Sequence, residues 1–202
     1  MEIEQRFIDL CQRLTIGETI ATGAWSALYT CYTEPHRHYH NLRHIEAMLS
    51  KMDDVAPGDA AMELSIWYHD AIYDPKARDN EERSATFFGT EFGHHLDKDL
   101  SDRVVRMILA TDYARPRSAA PDEDMIRDID LSILASAPED YRAYTLAVRM
   151  EYAHVPDADF RTGRRAVMER FLEGSIYHTA VFAAEESKAK ENILVELDSL
   201  AE

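Results

Sequence analysis

Apolar residues recur at intervals of three and four along nearly the whole chain, the period at which one face of an α-helix lies against a core. No stretch alternates with period two, and no Asn-Gly or Asp-Gly pair offers a tight hairpin. The pattern predicts helices over residues 2–14, 18–31, 39–53, 59–74, 80–92, 98–110, 121–136, 139–153, 160–173 and 176–200. Start signals agree at several of them. Asp79 followed by Glu82 has capping-box spacing, and Pro121 followed by Asp122, Glu123 and Asp124 suits a first helical turn. There is no solenoid-length repeat and no long linker. The expectation is an all-α fold, a bundle of about nine or ten helices forming a single domain over residues 1–202.

Composition narrows the class. With 46% apolar and 30% charged residues, and only seven Gly and seven Pro, the chain reads as an ordinary globular protein. Its start, MEIEQRF, lacks the basic and apolar regions of a signal peptide, and no window is apolar enough for a membrane helix. Cys11 and Cys31 form neither a disulfide framework nor a CxxC pair, so a reducing, cytoplasmic setting is expected. A net charge of −16 argues against polymeric nucleic acid and anionic membrane as partners. A small anion remains compatible, because a local cluster such as Arg161, Arg164 and Arg165 can invert the field.

One apolar segment contains a costly pair. In Ala60–Tyr73, AAMELSIWYHDAIY, apolar side chains cover almost every direction of a helical wheel, which predicts a buried central helix. His69 and Asp70 lie near its end, where an uncompensated carboxylate would cost several kcal/mol or become neutral. A His–Asp hydrogen bond would satisfy the pair; so would a metal cation, provided that other segments supply ligands. Upstream, TEPHRHYHNLRHIEAML crowds His36, His38, His40 and His44 together. His40 and His44, four apart, share a helix face beside the stripe Leu42, Ile45, Met48, Leu49 and Met52. Downstream, MIRDIDLSILA offers two aspartates. Asp130 lies on the wheel among Ile126, Ile133 and Leu134, whereas Asp128 points the other way, beside Arg127 and Ser132. A buried Asp130 needs a partner and a solvated Asp128 does not, so Asp130 is the candidate.

The order His44, His69-Asp70, Asp130 on three helices resembles the HD superfamily of metal-dependent phosphohydrolases, whose signature is H…HD…D on a helical bundle. YHNLRHIEAML, WYHDAIYD, DNEERSA and DIDLSIL are similar to a bacterial single-domain subgroup of predicted HD-superfamily phosphohydrolases. The resemblance continues through RMEYAHVP and FRTGRRAVMERFL to KAKENILVEL, so it covers most of the chain. It implies an HD-type bundle in which His44, His69, Asp70 and Asp130 ligate one divalent metal. Many members have a catalytic acid just after the HD. Here Ala71-Ile72-Tyr73-Asp74 has no acid at the third position after Asp70, which leaves Asp74 as the substitute and the general acid or base open.

Two imidazoles and two carboxylates suit Mn, Fe, Co, Zn or Mg without choosing among them. Such a centre fits hydrolysis of a phosphoester in a small metabolite, such as a nucleotide, with Asp70 both ligating the metal and orienting water. Arg37 and Lys76, each a few residues from a ligand segment, are the candidate phosphate contacts, against the plainer reading of solvated surface charge. His40 and Glu81 are candidates to orient the ligands. Asn80, Glu81 and Ser84 read equally as helix caps or as a pocket wall, and Tyr39, Trp67, Tyr68 and Tyr73 read mainly as core filler. Two other classes compete: a di-iron HD-type oxygenase, with His40 as the spare ligand, and a non-catalytic nucleotide-binding regulatory module.

Overall fold

A computed structural model describes residues 3–118 and 120–201. Ten α-helices account for the fold, with no strand among the described residues: α1 Ile3–Arg13, α2 Glu18–Tyr32, α3 Leu42–Val55, α4 Ala60–Tyr68, α5 Asn80–Glu91, α6 Lys98–Ala110, α7 Pro121–Asp130, α8 Pro138–Glu151, α9 Asp157–Leu172 and α10 Glu186–Ser199. Short 3-10 turns cover Gly93–His95, Leu131–Ala135 and Ala180–Glu185. The expected start of the first helix at residue 2 lies outside the described residues. No helix among them is long and apolar enough to cross a membrane.

The wheel of α4 is explained by its position. Ala61 through Tyr68 are all buried, with α3, α5, α6 and α7 packed around them. Trp67 meets Phe7 edge-on at 5.4 Å and Trp25 at 6.0 Å, so the aromatic centre of the core sits two residues before His69. Trp67 and Tyr68 are core residues, as expected, and Cys11 is fully buried filler. Buried apolar side chains from Phe7 to Leu197 form one cluster.

Several boundaries differ from expectation for a physical reason. The helix expected to reach residue 74 ends at Tyr68, because other side chains take over the backbone that follows. Arg37 donates to the Asp70 and Ala71 carbonyls at 2.7 and 2.9 Å. Ser84 Oγ accepts from Ile72 N–H at 3.0 Å and donates to its carbonyl at 3.2 Å. Asn80 accepts from Asp74 N–H and donates to its carbonyl, both at 3.0 Å. With these groups satisfied, nothing compels the i→i−4 ladder to continue. DNEERSA is thus a clamp on the turn after His-Asp. The expected capping box does not form: Asp79 makes no side-chain cap bond, and Glu82 pairs with Arg115.

The start of α3 is also shorter than predicted. His40 lies before the helix, and Asn41 caps it by accepting from Arg43 N–H at 2.9 Å. The last predicted helix is split, with the 3-10 turn Ala180–Glu185 preceding α10. α7 begins as expected, with Pro121 in its first turn.

Candidate metal centre

Three helix ends meet at one point. His44 sits in the first turn of α3, His69 directly follows α4 with Asp70 next, and Asp130 is the last residue of α7. Two helix C-termini therefore present their partial negative charge where a cation would sit.

The ligating atoms converge. His44 Nε2 lies 3.3 Å from His69 Nε2 and 3.2 Å from Asp130 Oδ1. Asp70 Oδ2 lies 3.0 Å from His69 Nε2 and 3.8 Å from His44 Nε2. His44, His69 and Asp130 form the tightest set, all within 4.8 Å of one another, and Asp70 adjoins both imidazoles. The imidazoles are sealed, while the Asp70 and Asp130 side chains are 13% and 16% exposed, so a solute reaches the centre from the carboxylate side.

Tautomers test whether a metal fits. His69 Nδ1 is 2.9 Å from the Ile66 carbonyl, which only accepts, so Nδ1 holds a proton and Nε2 of the neutral ring presents a lone pair. That lone pair faces the Asp70 carboxylate at 3.0 Å, a meeting of two acceptors that an extra proton or a cation resolves. Burial opposes a charged His69, but the Asp70 carboxylate outweighs it and pushes the imidazole up to about 9. Burial also opposes ionised Asp70 and Asp130, yet the neighbouring histidines hold both carboxyls below their ordinary range. The separations of 3.0 to 3.9 Å suit ligands about 2.1 Å from a common ion, which places neighbours about 3 Å apart. The residues fit a divalent metal.

Outer partners orient the ligands. Tyr113 donates its hydroxyl to Asp130 Oδ2 at 2.6 Å, leaving Oδ1 towards His44. The Tyr39 ring packs 4.8 Å from the His44 ring. Glu151 ties the histidine-rich segment down: its Oε1 accepts from the backbone N–H groups of His38, Tyr39 and His40 at 2.8, 2.7 and 2.9 Å. Its Oε2 meets His40 Nδ1 at 2.7 Å and the Tyr73 hydroxyl at 2.9 Å. Burial raises the Glu151 carboxyl, but these donors outweigh it and bring it down to about 2. His40 therefore stands beside the centre, its ring stacked on Tyr73 at 4.3 Å.

Glu151 and Tyr113 were not singled out from the sequence. Glu151 had a signal: it falls at helical spacing with the buried Tyr141 and Val148. Tyr113, in the connection before α7, had none.

The two aspartates separate differently from the expectation. Asp130 joins the histidines, but Asp128 is not solvated; it is fully buried. The segment 176–179 covers that side of α7, and Asp128 accepts from His178 N–H at 3.0 Å, Thr179 N–H at 2.7 Å and Thr179 Oγ1 at 2.6 Å. Burial still raises its carboxyl above the ordinary value.

The expected phosphate contacts lie elsewhere. All of Arg37's donors are turned inward, onto Glu34 and the carbonyls of His40, Asp70 and Ala71, and its side chain is fully buried. Lys76 and Asp74 line a separate cavity with His36 and Glu151, and Asp74 Oδ1 caps the Lys76 N–H at 2.9 Å. Arg164 pairs with Glu196 at 2.7 Å and Arg165 donates to the Leu197 carbonyl, so the arginine group is no open anion cluster. Instead, a groove of about 820 Å³ joins His44 and Asp130 to Arg43, Lys51 and Lys188. Lys51 pairs with Glu185 at 3.1 Å, while Arg43 and Lys188 form no ion pair among the described residues. Glu81 is half-buried; burial raises its carboxyl, a hydrogen bond from its own backbone N–H opposes the rise, and the Asp70 charge adds to it.

No family model, curated protein or solved structure matches the chain. The chemistry of the centre rests on its own geometry.

Proposed function

We propose that His44, His69, Asp70 and Asp130 hold one divalent metal ion and that the protein is a metal-dependent phosphohydrolase acting on a small phosphorylated metabolite. The observation that supports this is the pair of buried Nε2 atoms, 3.3 Å apart, with a carboxylate oxygen close to each. The resemblance to the HD superfamily leads to the same chemistry.

Bound there, the ion supplies Lewis-acid activation of water and of a phosphoryl group. The chain does the rest. Asp70, held ionised by its histidine neighbours, orients the attacking water. Arg43 and Lys188, which share the groove with His44 and Asp130, receive the phosphate charge in place of Arg37 and Lys76. Water adds its oxygen to phosphorus and the P–O ester bond breaks. The alcohol leaves with one proton and the phosphate keeps the other.

Elemental analysis of the purified protein beside Asp70→Ala tests the reading. One equivalent of metal, lost in the variant, together with release of phosphate from a phosphoester panel, supports it. Two irons per chain would turn the reading to the oxygenase. No metal after incubation with Mn²⁺, Fe²⁺ and Zn²⁺ would leave the centre as a structural His–Asp cluster.

A further inference from the structure

The groove with Arg43 and Lys188 is one of two openings at the centre. A second cleft, of about 520 Å³, opens between α8 and α9 and shares Tyr39, Asp130, Ile133 and Tyr144 with the first. That volume lies in the range of small-molecule sites, roughly 300–1,000 Å³. The two openings differ in chemistry, and Asp130 stands where they join.

The wall of this cleft is unusual for a helix in a packed bundle. Of the sixteen residues of α9 only Met168 is buried. Phe160, Gly163 and Val167, at helical spacing along α9, face the cleft, and Phe171 lines it while also packing against the core. Tyr113 and Tyr152 bring further rings from the neighbouring segments. Several polar groups in the wall are already committed, while Asp159 and Arg170 are exposed. Tyr113 donates to Asp130, and Arg164 is spent on Glu196 and on the Tyr144 hydroxyl at 3.0 Å. The cleft therefore offers aromatic and aliphatic side chains with few polar groups free besides Asp159 and Arg170.

We infer that the α8–α9 cleft receives an aromatic ring of the substrate, so that the preferred ester is a phosphomonoester whose organic part bears a flat aromatic group. This rests on the phosphohydrolase reading above and adds the substrate class to it. With the phosphoryl group between Asp130 and the cations Arg43 and Lys188, the ester oxygen points towards Asp130 and the organic part continues into the cleft. Aromatic walls favour an aromatic guest beyond the area it buries, through edge and offset contacts.

Gly163 provides a clean obstruction. A Cβ built there has no heavy atom within 4 Å, so a side chain leaves the helix into open space on the cleft wall. Replacing a glycine inside a helix also favours the helix. The experiment is calorimetric binding of 1-naphthylphosphonate and methylphosphonate, neither of which can be hydrolysed, to the metal-loaded protein. Leaving-group chemistry then plays no part. The wild type should bind the naphthyl compound at least about tenfold more tightly. Gly163→Phe should bring that affinity down to the methyl level, leaving methylphosphonate affinity and metal content unchanged and the melting temperature no lower. Val167→Arg, on the same wall, is the second blocking variant and should act likewise. Equal affinity for the two compounds in the wild type, or a naphthyl preference that survives both variants, overturns the cleft assignment and leaves the hydrolase reading standing. Failure of both compounds to bind a protein that retains its metal counts against both.

Discussion

The Tyr113 hydroxyl donates to Asp130 Oδ2 at 2.6 Å while Asp130 Oδ1 lies 3.2 Å from His44 Nε2, so a single hydrogen bond decides which oxygen faces the histidines. Tyr113→Phe removes that restraint and leaves the ring in place against Phe171. The expected outcome is a loss of about 10- to 100-fold in metal affinity with an unchanged fold. Competition against a chromophoric chelator measures it; unchanged affinity would show that Asp130 is oriented by other means.

Asp128 and Asp130 should fail in different ways. Asp128→Ala strips the acceptor from the His178 and Thr179 backbone N–H groups. That should cost about 2 kcal/mol or more of stability, read by urea unfolding. Its metal content should stay at the wild-type level. Asp130→Ala should lose metal. A stable Asp128→Ala protein would mean that the segment 176–179 is held mainly by its apolar contacts.

Glu151 predicts an acid-dependent term. Its carboxyl is held at about 2, against an ordinary 4.5. A depressed carboxyl stabilises the folded state fully above the ordinary value and loses that contribution as pH falls through the folded one. The gap corresponds to about 3 kcal/mol. Glu151→Gln should therefore be less stable at pH 7, with a stability that falls less between pH 5 and pH 3 than that of the wild type. Parallel pH profiles in chemical unfolding would sink this account.

Arg37 should behave as a clamp, and Lys76 as a bystander to the centre. Arg37→Ala leaves the Asp70 and Ala71 carbonyls without their donor and frees the turn that bears Asp70. Stability should drop by at least about 1–3 kcal/mol, and metal affinity should fall with it. Arg37→Lys should restore little, because an ammonium cannot span carbonyls that a planar fork reaches together. Lys76→Ala should leave both quantities unchanged. In activity assays Arg43→Ala and Lys188→Ala should raise KM for a phosphoester, whereas a rise with Lys76→Ala alone would restore the phosphate contact first expected from sequence.

The helical period identified ten helices, and the all-round apolar wheel of 60–68 placed α4 at the centre of the core. Both follow from local geometry, since a helix's own axis decides which side chains share a face. The same reasoning brought His44, His69 and Asp70 forward as costly residues in apolar surroundings. It failed at α4's end, because the backbone after Tyr68 is satisfied by Arg37, Ser84 and Asn80, which arrive from other segments.

Order and residue type along the chain determined the bundle, its central helix and the H…HD…D set of candidate ligands. Tertiary structure alone decided what covers each helix's far side, and that is where the wheel misled. Asp128 lies opposite the apolar face of α7, yet the segment 176–179, about 50 residues later, buries it. Glu151 holds a loop 111 to 113 positions away. Arg37 spends its charge on carbonyls 33 and 34 positions away, where the sequence suggested a phosphate. A wheel gives a side chain's direction from its own axis. Its partner, and hence whether its charge is free for a ligand, depends on the packing of segments remote in the chain.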